Sequence, residues 1–200
     1  MRVAVPRKSL RRILRWSQAA LLTAAAGMLG YCAFVVADTW IFQRQAGRSF
    51  DQLHLQPAPP PGPGVAAMDG LVGRMEIPRL GVSVVVAEGT EESTLRRAAG
   101  HILGTGLPGR SGNVGIAGHR DTLFRPLRNI RQDDVIMLTT LQGEYRYRVV
   151  STEIVSPSDV AVLNPDGHEI LTLVTCYPFY FIGPAPDRFI VRAERVTGRT

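Results

Sequence analysis

A cysteine, a histidine and an arginine have the residue types and the spacing for nucleophilic catalysis. Cys176 ends the apolar, β-branched run Thr172 to Cys176. His119 follows the predicted strand Asn113 to Ala117 through a single glycine, and Arg188 opens the last predicted strand, twelve residues after Cys176. A thiol attacks as its thiolate, so a nucleophilic cysteine needs an imidazole nearby and a cation for the charge that develops on the substrate.

The cysteine content favours a free thiol at position 176. The chain has two cysteines, and Cys32 lies inside a hydrophobic segment from which it cannot reach Cys176. Disulfides form in the compartments beyond a secretory membrane, yet none can form here. Cys176 is therefore either a small buried hydrophobe or a nucleophile.

Among the four histidines, His119 is the preferred imidazole. His54 and His168 lie in segments that predict solvated loops, and His101 precedes a glycine-rich turn. Only His119 stands at the end of a predicted strand, which is a common position for an active-site residue. Asp121 stays unassigned, because it shares a face with His119 only if extended backbone continues through Arg120.

The sequence predicts no metal site and no cofactor. No pair of histidines or cysteines has zinc-ligand spacing, and Asp133-Asp134 lacks the alternating oxygen ligands of a calcium loop. Both acidic residues are predicted turn residues. Calcium bound by dispersed side chains stays open as a modulator.

The N-terminal part predicts a membrane anchor. Residues 16–37 contain no charge, and as a helix these 22 residues would span about 33 Å, enough for a bilayer core of about 30 Å. Residues 1–15 carry six basic and no acidic side chains, so the positive-inside rule places the N-terminus in the cytoplasm and the rest of the chain outside the membrane. A cleaved signal peptide is the alternative, but its apolar region is usually about 7 to 15 residues long.

The distribution of charge excludes a nucleic-acid partner, although the sequence pI is about 10.0. Removing the six basic residues of segment 1–15 leaves 17 basic against 17 acidic residues. The excess of positive charge is therefore confined to residues 1–15, where it sets the orientation of the chain in the membrane. Residues 38–70 form a juxtamembrane stretch, compatible with a continued helix, and then a proline-rich stalk at Pro57 to Gly64.

Residues 71–197 predict one mainly β domain. Seven short β-rich runs are separated by clusters of Gly, Pro, Asn and Asp, a pattern typical of a barrel or a sandwich. Two short peripheral helices are predicted, one at Glu91 to Ala98 with Thr90 as N-cap, and one at Asp159 to Leu163.

Three motifs together resemble the sortase family. They are Asn113-Val-Gly-Ile-Ala-Gly-His119-Arg-Asp-Thr-Leu-Phe-Arg, Thr172-Leu-Val-Thr-Cys176 and Asp187-Arg188-Phe-Ile-Val. Four further segments resemble the class D group: Leu95-Arg-Arg, Gly100-His-Ile, Gly104 to Gly109 and Cys176-Tyr-Pro-Phe. The resemblance implies a membrane-anchored cysteine transpeptidase built on a closed eight-stranded β-barrel.

The resemblance also implies roles for individual residues. Cys176 would be the nucleophile, His119 the acid that protonates the leaving amine, and Arg188 the donor to the substrate and its oxyanion. Thr175 beside the nucleophile is a candidate substrate-binding residue, and so are Ala117 at the end of its predicted strand and Tyr177 directly after Cys176.

The implied substrate is a surface protein with a C-terminal sorting signal of the Leu-Pro-x-Thr-Gly or Leu-Pro-x-Thr-Ala kind, cleaved after the Thr. The implied acceptor is an amine, either of a peptidoglycan precursor or of a pilin lysine. Two other functions stay open at the level of sequence. One is a hydrolytic cysteine peptidase, and the other is a membrane-tethered peptide-binding or assembly module without catalysis.

Overall fold

The computed structural model describes residues 7–54, 70–180 and 183–196. The chain forms two compact units, Met1–Ile41 and Phe42–Thr200. Proline-rich residues 57–64, the predicted stalk, lie outside the described residues. The sequence-based domain boundary at residue 71 therefore stays a prediction.

A single long helix, α1, spans Arg7–His54. It contains one stretch that is long and apolar enough to cross a membrane, with a mean hydropathy of 1.9. The helix begins before the predicted anchor 16–37 and continues beyond it, so the juxtamembrane stretch is helical as far as His54. The assignment of the bilayer-spanning residues and of the topology stays a prediction.

The second unit contains a closed eight-stranded β-barrel, which confirms the predicted fold class. The strands are β1 (Leu71–Ile77), β2 (Val82–Glu88), β3 (Ala99–His101), β4 (Gly112–Ala117), β5 (Val135–Thr140), β6 (Gly143–Val155), β7 (Glu169–Tyr177) and β8 (Asp187–Arg195). Their order around the barrel is β1-β2-β3-β4-β7-β8-β6-β5, and the pairs β2/β3 and β4/β7 are parallel.

The alternation of side chains along the strands fills the barrel interior. In β5 every second residue is buried, as expected for a strand with one face to the core and one to solvent. Strand β7 is buried on both faces at consecutive residues from Ile170 to Leu173. The largest fully buried side chains include Met75, Ile116, Leu138, Tyr147, Leu171 and Leu173.

The eighth strand, β3, is a strand that the sequence did not predict. The predicted helix at Glu91 to Ala98 forms only over Glu92–Leu95 (α2), and its N-cap is Glu91 rather than Thr90. After α2 the chain turns to pair with β2 on one side and β4 on the other. A segment of three residues is too short to show a hydrophobic periodicity, which is why β3 was not predicted. It forms because two neighbouring strands offer it hydrogen bonds.

The second predicted helix is present as a short 3-10 helix, Val160–Leu163. Its N-cap is Asp159, whose carboxylate accepts a hydrogen bond from the backbone N–H of Ala161 at 3.3 Å. This segment lies between β6 and β7, next to the outer face of β4.

Candidate active site

Cys176 and Arg188 are directly opposite each other on neighbouring antiparallel strands. Cys176 is the penultimate residue of β7, and Arg188 is the second residue of β8. The two residues are Cα partners in the β7/β8 ladder. Partners in an antiparallel ladder project to the same face with Cβ atoms roughly 4.5–5.5 Å apart. Cys176 is half-buried and not in a disulfide. The pairing therefore places a guanidinium-bearing side chain beside an accessible thiol.

Thr175 links the segment that carries Cys176 to the segment that carries His119. Its side chain is buried, and its hydroxyl donates a hydrogen bond to the carbonyl of Gly118 at 2.7 Å. The N–H of Gly118 in turn donates to the carbonyl of Val174 at 3.1 Å. The pairing of β4 with β7 therefore continues one residue beyond Ala117, and it ends at His119.

His119 begins the turn that leaves β4. Its carbonyl accepts from the N–H of Phe124 at 3.0 Å. A Cβ on Gly118 would lie 2.7 Å from atoms of the buried Phe124 ring, so only glycine allows the backbone to pack this closely. The ring of Phe124 and the hydroxyl of Thr175 thus hold the residue before His119 from two sides, while His119 itself is half-exposed.

An ion pair holds the end of the β4–β5 connection that lies next to β5. Arg79 donates to both carboxylate oxygens of Asp134, and its Nη2 also donates to the carbonyl of Asn129 at 2.7 Å. Asn129 ends the 3-10 helix Arg125–Asn129 that follows the turn at His119. The hydrogen bond from Arg79 holds the pKa of Asp134 below its ordinary value. A carboxylate that stays ionised keeps this connection in place.

Two arginines fix the connection between β7 and β8 at separate points. The Nη2 of Arg120 donates to the carbonyl of Gly183 at 2.9 Å. The Nη1 of Arg188 donates to the carbonyls of Asp187 at 3.0 Å and Ala185 at 3.4 Å. One nitrogen of Arg188 is thus used to shape its own loop, and the guanidinium fork has further donors for a substrate. Sequence reasoning gave Arg120 no role, although its position directly after His119 was a signal.

Buried polar side chains hold the two connections that flank the outer face of β4. In the connection after β3, the ring of His101 lies 2.9 Å from Glu88 through Nδ1 and 2.9 Å from the Gly106 carbonyl through Nε2. His101 is 3% exposed, so it cannot meet a substrate. In the connection after β6, the Nδ2 of Asn113 donates to the Val162 carbonyl at 2.9 Å.

The remaining predicted site residues lie at the same end of the barrel. Ala117, the half-buried last residue of β4, is the ladder partner of Val174 on β7. Tyr177, the last residue of β7, packs against Phe179 and Phe189 with ring centroids 6.1 and 6.4 Å apart. The structure therefore brings Cys176, Arg188, Thr175, Tyr177, Ala117 and the backbone before His119 to one edge formed by β4, β7 and β8.

Nothing in the described ranges 7–54, 70–180 and 183–196 forms a cluster of three or more His, Cys, Asp or Glu side chains that could hold a metal ion. Calcium bound by dispersed side chains stays an open alternative to the prediction of no cofactor.

The fold and this edge define a class of protein, namely a closed β-barrel with a thiol and a guanidinium at the paired ends of two strands. The sortase domain model matches residues 75–196. The chain belongs to the sortase family, which is a family of cysteine transpeptidases.

Relatives with this domain include sortases of several groups. The chain is 36% identical over 126 residues to sortase D of Bacillus subtilis, covering 62% of this chain and 64% of that protein. It is 32% identical over 112 residues to sortase A of Listeria monocytogenes, covering 54% of this chain and 50% of that protein. The match thus spans less than two thirds of the length of both relatives.

A solved structure shows the same architecture. The Clostridium perfringens sortase D5 transpeptidase aligns with a TM-score of 0.65 and 26% identity, covering 78% of this chain and 98% of that one. The predicted likeness to sortases is thereby confirmed.

Proposed function

We propose that this chain is a membrane-anchored transpeptidase that cleaves a C-terminal sorting signal after threonine and transfers the protein to an amine. Cys176 is the nucleophile, His119 the general acid and base, and Arg188 the donor to substrate and oxyanion. The observation that carries the proposal is the ladder pairing of Cys176 with Arg188, one residue from the bond between Thr175 and Gly118.

In the first half-reaction the thiolate of Cys176 attacks the carbonyl carbon of the substrate threonine. The negative charge that develops on the carbonyl oxygen is stabilised by the guanidinium of Arg188, which lies on the same face of the ladder. As the C–N bond breaks, the imidazolium of His119 gives its proton to the leaving amine. A thioester between Cys176 and the threonine carbonyl remains.

In the second half-reaction an amine attacks the thioester carbon. The neutral imidazole of His119 takes a proton from the amine, a new amide bond forms, and the C–S bond breaks. Cys176 leaves as thiolate, which restores the starting state. The acceptor amine belongs to a peptidoglycan precursor or to a pilin lysine.

The peptide is proposed to bind along the outer faces of β4 and β7. Ala117 offers a small, half-buried surface that lets an extended backbone approach closely. Tyr177 follows Cys176 in β7 and projects to the opposite face, where it packs against Phe179 and Phe189. Its predicted contact with the peptide stays a prediction. Because Thr175 is 2% exposed, its side chain acts on the site through Gly118. Any contact of Thr175 with the peptide would come from its backbone.

The apolar part of α1 is proposed to anchor the enzyme in a bacterial membrane, with its N-terminus in the cytoplasm and the barrel outside. Cys176 allows a direct test of this topology. In intact cells a membrane-impermeant maleimide should label Cys176 in the barrel. If Cys176 is labelled only after the cells are permeabilised, the barrel lies in the cytoplasm and the proposed topology is wrong.

The decisive experiment is the intact mass of the full-length chain in detergent micelles after mixing with a Leu-Pro-x-Thr-x-x peptide library. A mass gain equal to the peptide up to its threonine, absent in Cys176→Ala, is expected for the acyl enzyme. A thiol that alkylates readily but gains no peptide mass would contradict the proposed motif. A thiol that resists alkylation would indicate a peptide-binding module instead.

Adding an amine separates transfer from hydrolysis. With increasing glycine peptide or lysine analogue, a transpeptidase should divert the acyl enzyme from hydrolysed product to amide product. A product ratio that does not respond to the amine would indicate a hydrolytic cysteine peptidase.

A further inference from the structure

Strand β2 has an edge that strand β3 does not cover. The parallel pairing of the two begins with Val86 opposite Ala99, so Val85 has no residue of β3 as its partner. Backbone N–H groups alternate in direction along a strand, and an uncovered edge exposes them to solvent or to another chain. The N–H of Val85 is such a group.

The side-chain amide of Gln43, on α1, occupies this position. The N–H of Val85 donates to Oε1 of Gln43 at 2.9 Å, and Nε2 of Gln43 donates to the carbonyl of Arg97 at 2.5 Å. Arg97 lies just before β3. The amide of Gln43 thus bridges β2 and the segment leading into β3, in the place where the next ladder bonds would stand.

A second contact lies one helical turn further on. Gly47 is buried, and its carbonyl accepts from Nη2 of Arg74 at 3.0 Å. Arg74, on β1, is the ladder partner of Val85 on β2. Residues four apart lie on one face of a helix, so Gln43 and Gly47 present the same face to two paired residues of the barrel.

We propose that Phe42–Arg48 is a docking element of the catalytic barrel and that Gln43 attaches it through two hydrogen bonds. Both ends of the connection 55–69, His54 and Gly70, belong to the barrel unit. The catalytic domain then begins at Phe42, some thirty residues before the boundary at residue 71 that the strand pattern predicts.

The test uses amide hydrogen exchange of the full-length chain in detergent micelles, with residue resolution across β2. In the wild type, Val85 should be protected like Val84 and Val86. An unprotected Val85 in the wild type would overturn the proposal without any variant.

Gln43→Ala should speed the exchange of Val85 by about five- to tenfold, the effect of one lost hydrogen bond, and leave β4 and β7 unchanged. Gln45→Ala is the matched control, because Gln45 is exposed on the same turn of the helix. Gln43→Glu keeps the acceptor for Val85 but loses the donor to Arg97, so its exchange rate should lie between the other two. Equal rates in Gln43→Ala and Gln45→Ala would contradict the docking role.

Discussion

The hydroxyl of Thr175 donates to the carbonyl of Gly118 at 2.7 Å, and this single bond joins the residue before the thiol to the residue before the imidazole. The thiol lies on β7 and the imidazole on the turn that follows β4, so their separation depends on the register of β4 against β7. The bond fixes that register at the end of the ladder. Thr175 is therefore a positioning residue.

Replacing Thr175 with valine tests this role. Valine keeps the shape of the side chain but leaves the Gly118 carbonyl without its donor in a buried place, which should cost about 1–3 kcal/mol of folding free energy. We expect kcat to fall by about tenfold with little change in KM, since this hydroxyl is buried and bonded to Gly118. Thr175→Ser should restore both kcat and the unfolding temperature. Full activity in Thr175→Val would contradict the assignment.

Arg120 is expected to act on catalysis through the connection between β7 and β8. Arg120→Met removes the bond to Gly183 and should lower kcat/KM by severalfold, because this connection leads directly into Arg188. Arg125→Met is the control, because Arg125 is exposed at the start of the 3-10 helix that follows the turn. The measurement is peptide turnover together with the alkylation rate of Cys176. Equal kcat/KM values for the two variants would show that the loop does not depend on Arg120.

The ionised side chain of Asp134 leads us to expect that the protein loses folding stability in acid. Its pKa is held below the ordinary value, chiefly by the hydrogen bond from Arg79, so the unfolded chain binds a proton at a higher pH than the folded one. The stabilisation is complete above the ordinary aspartate pKa of about 4 and is lost as the pH falls below it.

Asp134→Asn should lower the unfolding temperature at pH 7 and flatten its dependence between pH 5 and pH 3. Asp133→Asn is the neighbouring control, since Asp133 is exposed. Thermal unfolding curves of the two variants that coincide at every pH would argue against the ion pair.

The buried side chain of Tyr147 leads us to expect that folding stability also depends on pH in alkali. Burial, followed by its hydrogen bond to Glu169 at 2.5 Å, raises the pKa of Tyr147 above the ordinary value. Stability from this group is present below the ordinary tyrosine pKa of about 10 and is lost as the pH rises beyond it, because the unfolded chain then ionises.

Tyr147→Phe should be less stable than the wild type at pH 8, since Glu169 loses a donor, and should lose less stability between pH 9 and 11. Tyr145→Phe provides the control, because Tyr145 is a neighbour on the same strand that is only partly buried. Unfolding temperatures measured across this range give both quantities. A slope in Tyr147→Phe as steep as in the wild type would place the alkaline transition elsewhere.

Several features of this protein were determined by sequence alone. The order His119, Cys176, Arg188 and the apolar run before Cys176 predicted the family and the strand ends. The charge-free stretch 16–37 predicted a helix, and alternating residues predicted seven of the eight strands. These signals are local, since hydrophobic periodicity and turn chemistry extend over a few residues.

Tertiary structure decided what depends on contacts between distant segments. Strand β3 forms only because β2 and β4 both pair with it, and His101 is structural because Glu88 and Gly106 close around it. The bond between Gln43 and Val85 joins residues 42 positions apart, and no pattern within either segment reveals it. The energy of pairing between remote segments cannot be read from the residues of one segment. The strand β3, the buried His101 and the Gln43–Val85 bond therefore followed from the tertiary structure rather than from any single stretch of the chain.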